Sequence, residues 1–145
     1  MPAPIMRRPD RTPPSRINLA QRYLFDQLFK RVLRSLPAAA RALLKTIPVV
    51  VEDYPSAEVL AEMDAERDEL FGLYTGTPGI EQSHAQSGVT GDVIYIYRLA
   101  LLRDATYRRG RVDQKRLREQ MQTTLLHELG HYHGFDEDAL DRLGY

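Results

Sequence analysis

Apolar residues recur at helical spacing between Asn18 and Leu36. Leu19, Tyr23, Leu24, Leu28, Val32 and Leu36 form one stripe, with Phe25 and Phe29 beside it. Residues three and four apart share a face of an α-helix, so an amphipathic helix with one core-facing side is expected. Asn18 is placed to cap it, because its side-chain oxygen can accept from the unpaired amides of the first turn. Pro37 interrupts the pattern, and AAARALLK predicts a short second helix after it. The period then changes. IPVVVED is β-branched, short and followed by Tyr54-Pro55, which predicts a strand over 49–52. Ser56 can cap a helix reaching about Asp64, with Val59, Leu60 and Met63 turned inward. ELFGLYTGT reads as a second strand, and PGIEQSHAQSGVTG, with no apolar period, as a long loop. DVIYIYR alternates, placing Val93, Tyr95 and Tyr97 on one face and Ile94 and Ile96 on the other. LALLRDATY predicts a short helix ending near Gly110. Asp113 is placed to cap the longest helix, expected to run through His133, and DEDALDRLGY predicts a short closing helix.

Composition narrows this to one α/β (α+β) domain with a small sheet and a helix-rich C-terminal half. The 145 residues suit a single domain, and 43% apolar residues suffice for a core. No apolar run approaches the ~18–20 residues of a membrane-spanning helix, so no membrane association is expected. The stretch MPAPIMRRPDRTPPSR carries Pro2, Pro4, Pro9, Pro13 and Pro14 among arginines and has no apolar segment behind it. Residues 1–17 are therefore expected to be a disordered basic arm rather than a secretory signal, residues 18–145 the folded domain, and the compartment the cytoplasm. A net charge of zero gives no global case for nucleic acid. The absence of cysteine excludes disulfides and thiolate metal sites, so a metal here would need His, Asp or Glu.

The candidate chemistry lies in HELGHYHGFDED, residues 127–138. At ~100° per residue, His131 falls near 40° from His127 and Glu128 near 100°. Leu117, Met121, Leu125, Leu129 and Tyr132 cover about 80–200°, so the core face is separate from the histidines. Two imidazoles one turn apart on one side can converge on a single ion at ~2.0–2.1 Å. His133, near 240°, points elsewhere. Gly134 is placed to end the helix in a left-handed turn that brings the chain back beside the histidines. In the pattern HExxHxxGxxH the last position is a ligand, and the same count lands here on Glu137. Asp136 and Asp138 are alternatives. Three protein ligands leave a position for water, whose pKa the ion lowers, and Glu128 can take its proton as general base. Tyr145, His84 and Tyr132 are candidate partners for the oxyanion, with the core-facing angle of Tyr132 counting against it. The solvated reading applies to YRRGRVDQKRLRE and to the acidic run Glu62 to Glu69.

The motif HELGHYHGFDEDALDRLGY resembles the minimal zincin-like metallopeptidase family of small bacterial proteins, with VVVEDYP, LFGLYTG and DVIYIYRLALLR as supporting upstream matches over residues 18–145. The resemblance implies a reduced zincin-like fold in which a small twisted mixed sheet packs on a long metal-binding helix. It implies one Zn2+ per chain held by His127, His131 and an acidic third ligand matching Glu137, with Glu128 as the catalytic acid/base acting on a peptide or protein substrate. Eight residues follow Glu137, none of them methionine, so neither the Met-turn nor the lower substrate-binding subdomain of larger metzincins is expected. The small size and the basic arm support an alternative from another class, a zinc-binding interaction or regulatory module with little or no proteolysis.

Overall fold

The computed structural model describes residues 16–76 and 91–132. Five helices and three strands occur among them: α1 (Leu19–Ser35), α2 (Ala38–Leu43), β1 (Val49–Glu52), α3 (Ala57–Met63), β2 (Gly72–Thr75), β3 (Val93–Tyr97), α4 (Arg98–Ala105) and α5 (Gln114–Tyr132). The sheet is mixed, in the order β1-β3-β2. β1 runs parallel to β3, with Val49 beside Ile94, and β2 runs antiparallel to it, with Gly72 beside Ile96. The architecture is α+β, as expected, and fits a zincin-like fold.

Local chemistry sets the boundaries. The Asn18 side chain accepts from the Gln21 amide (2.7 Å) while Gln21 accepts from the Asn18 amide (2.9 Å), a reciprocal cap at the start of α1. Ser56 caps α3 through the Val59 amide (3.2 Å) and Asp113 caps α5 through the Arg116 amide (3.0 Å). α4 follows β3 without a linker, its Leu99 amide anchored on the Asp53 carbonyl (2.8 Å). It ends at Ala105, earlier than the apolar pattern suggested. Thr106 turns extended and bridges Val112, and the intervening turn closes at Gly110 with φ of 89°.

One apolar core joins Phe25, Leu28, Phe29, Val32 and Leu36 of α1 and its end, Ile94 and Ile96 of β3, Leu101 and Leu102 of α4, and Leu117, Met121, Leu125, Leu126 and Leu129 of α5. Ile17, just before α1, packs against it. The α1 face is rotated from the stripe read off the sequence. Leu19 and Tyr23 are 78% and 68% exposed. Taking Phe25 as the face centre, they lie about 120° and 160° round the helix, beyond the neighbouring elements. α3 buries no residue fully, and Met63 is 47% exposed, so the inward turn expected of that helix is confined to half-buried Val59 and Leu60. On β3 the alternation holds for Ile94 and Ile96. Tyr97 is buried as well, its ring stacked on Tyr95 at 6.2 Å, and burial pushes its hydroxyl pKa up to about 12.

An ion network ties α1 to the sheet and α4. Asp53 receives Arg22 (2.5 Å) and Arg98 (2.9 Å), and Arg98 also pairs with Asp26 (3.0 Å). The Arg22 hydrogen bond, with Arg98 behind it, holds the Asp53 pKa below its ordinary 3.8. A carboxylate whose folded pKa is depressed contributes its stability above the unfolded value and loses it as pH falls through the folded one. This network is therefore expected to hold at neutral pH and to weaken below about pH 4. Arg98 is 13% exposed at the side chain, so Arg98→Ala should cost about 1–3 kcal/mol in urea denaturation at pH 7, and less at pH 3. An equal loss at both pH values would show that packing, rather than the charges, sets the effect.

Candidate metal centre and active site

α5 is central to the fold, and its C-terminal half is enclosed more completely than its apolar stripe implied. Besides the expected Leu125 and Leu129, Thr124, Leu126 and Gly130 are buried. This side chain set leaves one half-open strip, occupied by His127, Glu128 and His131. Helical spacing places these three together, and one potential ligand atom from each lies within 4.8 Å of the others. The two imidazoles meet edge to face, with centroids 4.7 Å apart at 80°, and their Nε2 atoms are 3.1 Å apart. Two nitrogens at ~2.0–2.1 Å from one tetrahedral ion would be separated by ~3.3–3.4 Å, close to the separation found between these two. Imidazole with carboxylate suits zinc among other divalent metals.

Glu128 is anchored from the sheet. The Tyr74 backbone amide donates to Glu128 Oε1 at 2.8 Å. The strand pleat explains why that amide is available. Tyr97 N–H donates to the Phe71 carbonyl (2.9 Å), so the odd-numbered positions of β2 bond to β3. Gly72 and Tyr74 consequently turn their backbone groups outward, on the side away from β3. The Tyr74 hydroxyl donates to Asp92 Oδ1 (3.0 Å), tying the end of β2 to the approach to β3. Between β2 and α5 a cleft of about 300 Å³ runs up to His127, lined by Leu70, Phe71, Gly72, Thr123 and Glu128 among others.

Periodicity identified His127, Glu128 and His131, and LFGLYTG was a candidate edge strand, but the Tyr74 amide that meets Glu128 was not identified. The available signal was Gly72 inside ELFGLYTG, since a glycine within a strand often marks close backbone approach. Glu137, Asp136, Asp138, Tyr145, His84, His133 and Gly134 lie outside the described residues, as do residues 1–15 of the arm expected over 1–17. Tyr132 closes α5. Among the described residues no helix is long and apolar enough to cross a membrane.

The arrangement brings two histidines and a carboxylate together beside a strand edge and a cleft, a group that could hold a divalent cation. No curated protein matches the chain. The family model for zincin-like metallopeptidases matches residues 44–145, a span that runs from the end of α2 through all three strands and the His-Glu-His strip. The chain belongs to the zincin-like metallopeptidase family.

Proposed function

We propose that the protein is a zinc-dependent peptidase in which His127 and His131 hold the ion and Glu128 moves the proton. The observation that carries this reading is the convergence of the two Nε2 atoms beside a carboxylate that the sheet edge holds in place. Glu137 is the proposed third ligand, with Asp136 and Asp138 as the alternatives. One ion per chain supplies Lewis acidity toward a carbonyl oxygen and toward water. An extended peptide adds to the outer side of β2, where the Gly72 backbone groups and the Tyr74 carbonyl face, with neighbouring side chains received by the cleft. Glu128 takes a proton from the attacking water at its carboxylate and delivers it to the leaving amine nitrogen as the peptide bond breaks. His84 and Tyr145 are candidate donors to the oxygen that gains charge. The cytoplasm is the proposed compartment.

The test is a cleavage screen over a diverse peptide library, paired with metal analysis of the purified chain. The expected result is about one zinc per chain, with cleavage abolished by chelator and restored by added zinc. Cleavage indifferent to the chelator would sink the metal-dependent reading. A metal-loaded chain inert toward the whole library would instead favour the interaction module.

A further inference from the structure

Gly72 lies where β2 crosses α5. A Cβ added there would fall 2.7 Å from Thr124 Cγ2 and 2.9 Å from the Tyr95 carbonyl oxygen, well inside the ~3.5–4.0 Å of a comfortable carbon contact. Neither neighbour yields easily. Thr124 is buried and β-branched, with a stiff χ1, and the Tyr95 oxygen belongs to the backbone of the central strand. Only glycine allows this strand to come so close to this helix.

The crossing is also in register with the site. Tyr74 lies two residues beyond Gly72 on the strand, an advance of ~6.6 Å. Glu128 lies four residues beyond Thr124 on the helix, an advance of ~6 Å. The Gly72–Thr124 approach and the Tyr74–Glu128 hydrogen bond are thus two levels of one contact, and the first sets the distance of the second. We infer that Gly72 is a positioning residue for the general base: its lack of a side chain closes β2 onto α5, and the Tyr74 amide thereby fixes the Glu128 carboxylate in the cleft. The inference rests on the peptidase reading of Glu128 for its catalytic consequence, but the contact itself is measurable without substrate or metal.

Amide hydrogen exchange by NMR on the full chain, with and without zinc, tests it. The Tyr74 amide should be protected in the wild type and in Glu128→Gln, whose side-chain oxygen still accepts. In Glu128→Ala and Gly72→Ala it should exchange at least about ten-fold faster, while the Leu73 amide, turned toward β3, keeps its protection. With a cleavable peptide, Gly72→Ala should lower kcat about 10–100-fold with zinc content intact. Adding Thr124→Ser to Gly72→Ala removes the nearer obstructing methyl and should restore part of both kcat and Tyr74 protection. Equal Tyr74 exchange in wild type and Glu128→Ala overturns the inference, and this comparison decides the matter even where Gly72→Ala does not fold. A folded Gly72→Ala variant with normal kcat overturns it equally. Failure of the peptidase reading is distinguishable, because a chain inert toward peptides would still show the Tyr74 protection pattern.

Discussion

Replacing Glu128 with glutamine is expected to lower peptide cleavage by about 10²–10⁴-fold while leaving zinc content and folding unchanged. The substitution is close to isosteric. The glutamine oxygen keeps the hydrogen bond from the Tyr74 amide that Glu128 Oε1 makes at 2.8 Å, so the side chain stays in place. What is lost is the ability to take a proton from water and pass it to the leaving nitrogen. Position and proton transfer are thereby separated, which Glu128→Ala could not do, since it removes both. The measurement is kcat/KM on a peptide found in the library screen, with metal analysis and a melting curve on the same preparation. Retained cleavage in a zinc-loaded glutamine variant would remove Glu128 as the proton carrier. Parent and variant equally inert across the library would favour the interaction module instead, with zinc serving structure.

The same residues show how far the sequence could be read. His127, Glu128 and His131 were legible because their geometry is local: one helix fixes all three, and helical periodicity is a strong signal. The strands were legible for the related reason that β-branched runs bounded by turn residues leave few alternatives, and the caps Asn18, Ser56 and Asp113 were legible because each acts within three residues of itself. What stayed hidden depends on partners distant in the chain. The amide that holds Glu128 lies 54 residues away in sequence, and a backbone N–H carries no side-chain signature at all. The exposure of Leu19 and Tyr23 was hidden similarly. Spacing identifies which residues share a helix face, but the width of that face is decided by the helices packed against it. Gly72 marks the boundary between the two cases. Its presence in a strand was visible, whereas its meaning required knowing that Thr124 stands 2.7 Å from where its Cβ would be.

His131→Ala is expected to weaken zinc binding by about 10²–10⁴-fold. Structural zinc sites in zinc-finger peptides bind with an apparent ~10–16 kcal/mol, and a binding energy of that order shared among three protein ligands gives each about 3–5 kcal/mol. A reduced affinity of this size has a second consequence through linkage. Zinc held at 100 times its Kd stabilises the wild-type fold by about 2.7 kcal/mol, a rise in Tm of roughly 5–15 °C for a chain of this size. At the same zinc concentration the variant should show little rise. The metal-free forms should melt close together, within about 1 kcal/mol, because the histidines lie on the half-open strip of α5 and not among its buried leucines. That contrast distinguishes a ligand from a packing residue: a packing residue lowers Tm with and without zinc, whereas a ligand lowers only the zinc-dependent increment. The same titration ranks the acidic candidates. Glu137→Ala should lose more zinc affinity and more of the thermal increment than Asp136→Ala or Asp138→Ala, since only Glu137 stands three residues beyond Gly134, at the last-ligand position of the HExxHxxGxxH pattern. Equal losses for the three would remove Glu137 as the third ligand while leaving His127 and His131 in place.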